Sequence, residues 1–152
     1  MKRRLNSPRF RTIWSLVRLA LVACFILLPI PRQLFSGQPA EPASQDYIWR
    51  NAGNAQQIEV GWWPGDPRYP HAAFFGFAYP AADGLADADV APGRWDTTLG
   101  EYILDWDDVV AAPDPHGTAL GFARAIARHA CAVCKWDLQL AGSLDGNPPP
   151  IA

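Results

Sequence analysis

Residues 61–80 read GWWPGDPRYPHAAFFGFAYP, and their reading decides the fold. The stretch holds Trp62, Trp63, Tyr69, Phe74, Phe75, Phe77 and Tyr79, interrupted by Pro64-Gly65, Pro67, Pro70 and Pro80. Aromatic side chains supply large buried area, while prolines and glycines fix where the backbone turns. Ile58 to Trp63 has strand character, and Pro64-Gly65 suits the two central positions of a type II turn. Asp66 and Tyr69 each precede a proline, which keeps the backbone extended. Ala73 to Tyr79 is then a second strand. Phe75, Phe77 and Tyr79 share one face, and Phe74 and Ala78 flank the compact Gly76 on the other. Both faces are apolar, so the strand is predicted to be central or covered on both sides.

Downstream, Ala81 to Pro92 is a small-residue acidic loop. Leu99 to Trp106 alternates Tyr102, Leu104 and Trp106 against Glu101, Ile103 and Asp105, the pattern of a half-buried third strand. Asp107 is placed to cap a short helical turn that Pro113 ends. Asp114-Pro115 is the sharpest local signal: an Asp N-cap with proline at the first helical position starts a helix predicted to run to about Leu140. Its apolar face is Phe122, Ala123, Ile126, Ala127, Ala130, Val133 and Cys134. Its basic face is Arg124, Arg128 and Lys135, so it packs by one side. Residues 142–152, with three consecutive prolines, read as a disordered tail.

Upstream, Asp46 to Gln57 could begin a short helix capped by Ser44. Residues 31–44 are rich in Pro, Gly, Ser and Ala and read as a linker. Residues 13–30, IWSLVRLALVACFILLPI, form an apolar segment predicted as an N-terminal apolar helix; its length lies between that of a signal core and that of a membrane span. Residues 1–12 are a basic head. A basic head before an apolar run predicts a single-pass membrane protein with a cytoplasmic N-terminus; the alternatives are a cleaved signal and a non-functional head on a cytoplasmic protein.

With 152 residues the chain has room for one domain, assigned to 45–141. Its formal net charge of −2 hides an asymmetry. All 15 acids lie beyond Gln33, together with Arg50, Arg68, Arg94, Arg124, Arg128 and Lys135 as the only bases there. Such an acidic body repels a phosphate backbone, so no nucleic-acid partner is expected.

The chemistry-bearing motifs are few. Cys131 and Cys134, two residues after His129, tempt a redox or zinc reading. A redox pair normally sits at a helix N-terminus, whereas this one sits near a C-terminus, with Cys131 on the basic stripe and Cys134 on the apolar face. Zinc would need a second ligand pair, and only His71 and His116 remain. The spacing of Asp83, Asp87 and Asp89 is not that of a calcium loop. No Gly-x-Ser-x-Gly elbow, Gly-x-Gly-x-x-Gly or Walker loop is present, so neither a catalytic residue nor a cofactor or metal is assigned. Besides Arg68, the polar groups nearest the aromatic core are Asp66, Tyr69, His71 and Glu101. With Trp62, Trp63 and Tyr79 they are the candidates for lining a ligand pocket.

Three ordered stretches carry a family likeness: GWWPGDPRYPHAAFFGFAYPAADGL, LGEYILDWDDVVAAPDP, and the Trp136-Asp137 that closes the helix. Over roughly 57–138 the chain resembles the C-terminal part of a bacterial family known as domain of unknown function 5996. The resemblance implies a shared fold and brings no chemistry with it. Members of that family are longer, with a β-rich region ahead of this part, and tend to carry a His-Glu pair before the Gly-Trp-Trp motif; this chain has Asn54-Ala55-Gln56-Gln57 there. The Cys-x-x-Cys is outside the pattern. The resemblance implies a truncated C-terminal portion joined to an unrelated head, with a protein partner or a missing N-terminal domain to cover the aromatic strands.

The fold expected from all this is α+β, about three antiparallel strands packed against one long C-terminal helix. Two functions stay open. One is a non-catalytic or fragmentary domain of unknown function. The other is a small ligand-binding or enzymatic domain with an aromatic pocket around Trp62/Trp63.

Overall fold

A computed structural model describes residues 32–145. In chain order the elements are β1 (Arg32–Pro39), α1 (Tyr47–Ala52), β2 (Ala55–Trp63), β3 (Ala73–Tyr79), β4 (Arg94–Asp96), β5 (Glu101–Asp105), α2 (Trp106–Ala111), α3 (Pro115–Val133) and α4 (Gln139–Gly142). The strands form one antiparallel sheet in the order β1-β2-β3-β5-β4, so β3 is central. The α+β class is as expected, but the sheet has five strands where three were expected.

The two extra strands lie where composition hid them. Arg32–Pro39 falls in the segment read as a linker, yet it pairs with β2 from Arg32↔Val60 to Pro39↔Ala55. Only Leu34 on it is buried, at 7% exposure. Its register breaks between Phe35 and Pro39, where Gly37 takes φ 82, a bulge conformation that glycine adopts without a Cβ penalty. The other extra strand, β4, is three residues long and is fixed by the ring of Trp95 standing edge-on to Tyr102 at 4.8 Å.

α3 packs across one face of the sheet. That face presents Ile58, Val60, Ala78, Tyr102 and Leu104 to Phe122, Ile126, Ala127 and Ala130. Gly76 is the seat of the helix: a Cβ there would lie 2.8 Å from Ile126 Cδ1. Asp114 caps α3 by accepting from Gly117 N–H at 2.9 Å, and Pro115 opens its first turn, as the sequence predicts.

The helix ends at Val133, short of Leu140. Lys135 takes φ 58, Trp136 N–H donates to Cys131 C=O at 2.8 Å, and Lys135 N–H donates to Ala132 C=O at 3.2 Å. This is the Schellman arrangement, with lysine where glycine is usual. The chain then folds back, and α4 brings Ala141 into the core. The added cover explains why Cys131 is fully buried and Cys134 only half-buried, the reverse of the helical-wheel expectation.

Two caps also differ from expectation. Asp46, not Ser44, caps α1 by accepting from Trp49 N–H at 3.0 Å, and Ser44 bonds the Asp46 carboxylate. Asp105, not Asp107, holds the N-cap position of α2. Ser143–Asp145 forms a helical turn inside the segment read as a tail. The expected basic head, the apolar helix over 13–30 and residues 146–152 lie outside the described residues. Among the described residues no helix is long and apolar enough to cross a membrane.

Candidate functional site

Trp62 and Trp63 do not share a pocket. Consecutive strand residues point to opposite faces. Trp62 turns toward the helix side and stands edge-on to Trp106, at 6.3 Å, while Trp63 packs against Tyr69 at 5.7 Å. Tyr79 lies at the far end of β3, where its hydroxyl bonds Glu41 C=O and its ring meets Trp49. The aromatic residues grouped by the sequence are thus spread over three places.

The structure instead brings Tyr69 and His71 together with two residues that the sequence reading did not single out, Arg94 and Asp105. The excursion between β2 and β3 makes this meeting. Gly65 turns the chain with φ 91, and a Cβ there would lie 2.7 Å from the carbonyl oxygens of Tyr69 and His71. Asp66 and Tyr69 then exchange backbone hydrogen bonds of 2.9 and 3.1 Å. The Asp66 carboxylate accepts from Arg68 N–H at 2.7 Å and Tyr69 N–H at 3.2 Å, and pairs with the Arg68 guanidinium at 2.8 Å. The Arg68 side chain, followed by those backbone bonds, holds the Asp66 carboxyl below its ordinary pKa. Asp66 is therefore a turn-forming group that aims Tyr69.

Tyr69 points back over the sheet edge. Its hydroxyl donates to Asp105 Oδ1 at 2.5 Å and accepts from Arg94 Nη2 at 2.6 Å. Arg94 Nη1 donates to Asp105 Oδ2 at 2.9 Å, which closes a triangle. His71 stands edge-on to the Tyr69 ring at 5.7 Å. Burial opposes ionisation of Asp105, but the Tyr69 hydroxyl and the Arg94 guanidinium outweigh it and hold the carboxyl below the usual range. Burial, then the Asp105 carboxylate, pushes the Tyr69 phenol up, and Arg94 offsets only part of this.

The triangle forms one side of an open recess of ≈ 540 Å3, lined by Tyr69, His71, Ala72, Arg94, Asp105, Trp106, Asp107 and Asp108. Asp105 is diverted to it: an N-cap aspartate ordinarily accepts from the first-turn amides, yet this side chain makes no cap bond. Glu101 lies four residues earlier, at the start of β5, and is not among the residues that line the recess. Burial raises its pKa, Glu59, Asp66 and Asp96 add to the shift, and Arg68 opposes it.

Cys131 and Cys134 lie outside the recess. Burial pushes the Cys131 thiol up to about 11 and also raises Cys134, so neither is held as the reactive thiolate. The ring of His129 turns away to meet Gly84 C=O at 2.8 Å. Among the described residues no group of three His, Cys, Asp or Glu is placed to hold a metal ion.

A model of a family of unknown function (DUF5996) matches residues 28–143. The chain belongs to this family. The DUF5996 match extends further back than the stretch 57–138 that carries the resemblance in the sequence, and takes in β1. All five strands, α3 and every residue of the recess are DUF5996 residues. No curated protein and no solved structure matches the chain. The family has no assigned function, so the chemistry must be argued from the site itself.

Proposed function

We propose that this domain binds a small cationic molecule, an amine or a guanidinium, in the recess beside Tyr69, and that it performs no reaction on it. The observation that supports binding over catalysis is the closed Tyr69–Arg94–Asp105 triangle. A general base works best with a pKa near the operating pH. Here the carboxyl is moved down and the phenol up, both away from neutrality, and each is occupied by the other. The triangle is built to hold a wall in place.

The lining supplies the ligand class. Arg94 is balanced by Asp105 and also lies over the Tyr69 ring, 5.9 Å from its centroid, which leaves Asp107 and Asp108 as the lining carboxylates with no salt bridge among the described residues. Two such carboxylates favour a cation through charge, and the Tyr69 ring already accepts one cation, Arg94, over its face. The recess volume lies within the range of small-molecule sites, about 300–1,000 Å3.

NMR titration of the full chain with propylamine and methylguanidinium, against propionate as the matched anion, tests the reading. The cations are expected to shift the Trp106 indole and His71 ring signals, and Asp107→Asn/Asp108→Asn is expected to weaken the effect about tenfold. Equal shifts with propionate, or none with either cation, would overturn it.

A further inference from the structure

The face of the sheet away from α3, which carries Arg94 and Asp105 of the recess at one end, carries a second feature further along. Alternation from the paired positions Glu59↔Phe77, Gly61↔Phe75, Phe75↔Ile103 and Asp96↔Glu101 puts these residues on the side away from α3. Gln33↔Glu59 and Phe35↔Gln57 extend the same face onto β1. α1 touches one corner, through Trp49 on Tyr79 and the Gln57 amide on Ala52 C=O at 2.8 Å. The Pro64–Ala72 excursion closes the opposite end through Trp63 and Tyr69. Between them Phe75 and Phe77 lie stacked at 6.3 Å, outside the packed core, and Phe35, two strands away on β1, is 47% exposed. Opposite Phe75, Gly61 contributes no side chain, so the floor is low there.

Carboxylates line this floor. Glu59 sits on one side of Phe77, and Glu101 follows on the other, one step beyond the Gly76↔Tyr102 pair. Glu101 faces Asp96 directly across β4, and like charges directly opposite in a sheet destabilise it. Asp96 spends one oxygen on the turn, accepting from Thr98 N–H at 2.9 Å and Leu99 N–H at 3.0 Å. Glu59 accepts only an exposed 2.9 Å bond from Gln33 Nε2. Glu101 has no hydrogen bond or salt bridge among the described residues, and its neighbouring cation, Arg68, is committed to Asp66. Gln57, on the same face, is 3% exposed and its amide bonds Ala52 C=O of α1, so it lies under that helix and outside the open floor. The face therefore offers apolar rings and, in Glu59 and Glu101, two carboxylates with no salt bridge among the described residues; its two arginines, Arg94 and Arg68, are paired with Asp105 and Asp66.

We propose that this face docks a basic, apolar peptide segment of another protein, its apolar side chains on Phe75 and Phe77 and its cations against Glu59 and Glu101. Charge complementarity selects the occupant. A second copy of the same face would set Glu59, Glu101 and Asp96 against themselves, whereas a Lys- or Arg-bearing segment meets all three. Its cations also supply Glu59 and Glu101 with the ion pairs they lack among the described residues. The proposal shares no residue with the recess and stands or falls separately from it.

The test is calorimetric titration of the full chain with a peptide of about ten residues alternating lysine and leucine, against one alternating glutamate and leucine. The lysine peptide is expected to bind and to weaken as salt is raised, because exposed charges are screened. Glu59→Gln/Glu101→Gln and Phe77→Ala are each expected to weaken it about tenfold, with the variants' folding verified by thermal melts. Asp83→Asn/Asp87→Asn, which removes two acids elsewhere, is expected to leave it unchanged. Equal binding of the glutamate peptide, no binding at all, or full retention in the Glu59/Glu101 variant would overturn the proposal. Amide shifts in the unaltered chain give an answer that needs no variant. They must fall on Gly61, Phe75 and Phe77; shifts confined to Tyr69, His71 and Trp106 would assign the peptide to the recess and sink the docking reading.

Discussion

Gly76 shows how much a single missing methyl group can position. Ile126 occupies the space a Cβ would need, and Val60 Cγ1 stands 3.2 Å from the same point. Gly76→Ala forces Ile126 off its seat or lifts α3 from the sheet. Overpacking of this kind costs about 1–3 kcal/mol, so a clear fall in Tm is expected in a thermal melt. An unchanged Tm would mean that the helix does not sit where it is described. Glu101 makes a second residue-scale case. Its folded pKa is raised above the unfolded value of about 4.3. The protonated form is thus the one the fold favours, and the contribution is full below that pH and lost as pH rises through the folded pKa. Glu101→Gln is therefore expected to match the parent near pH 4 and below and to equal or exceed it in Tm at pH 7. A variant less stable at pH 7 than at pH 4, relative to the parent, would contradict the burial described for this group.

Among the elements, α3 was legible at its start and misread at its end. Asp114-Pro115 announces the first turn through local chemistry alone. The stop has no such marker, because lysine occupies the left-handed position that glycine would advertise. A left-handed conformation costs a residue with a Cβ roughly 1–2 kcal/mol. Lys135→Gly is expected to raise stability by about 1 kcal/mol, read as a higher denaturant midpoint at unchanged slope. A lower midpoint would show that the Lys135 side chain contributes more than the strain costs. The same logic explains the two strands that were missed. β1 has one buried side chain and a glycine bulge, and β4 is three residues long. Neither carries a period that can be read before its neighbour is known.

For the whole molecule, the sequence was informative about the centre and silent about the rim. The aromatic run placed β3 in the middle and sorted its side chains to the correct faces, because alternation is a local rule. Its warning that both faces of β3 are apolar is met on one side by α3, and on the other by the acidic floor around Phe77. The recess could not be found that way. Tyr69 and Asp105 are 36 residues apart, and Arg94 is 25 from Tyr69; only the fold brings them together. One signal was present: the sequence sets Asp105 on the strand and Asp107 as the cap, yet three acids, Asp105, Asp107 and Asp108, crowd the start of a six-residue helix that needs only one cap.

That choice of cap leaves a trace in how fast protons are exchanged with water. Trp106 N–H is held by Ala72 C=O at 3.0 Å, but the Asp105 carboxylate is turned away from the amides of Asp107 and Asp108. Hydrogen exchange at those two positions should run near the rate of an open chain, whereas the capped Gly117 amide of α3 should be slowed. Removing the phenol in Tyr69→Phe takes one of the two anchors from Asp105 and frees an oxygen to swing back onto the helix. Slower exchange at Asp108 in that variant is the expected result, a local tightening caused by the loss of a hydrogen bond elsewhere.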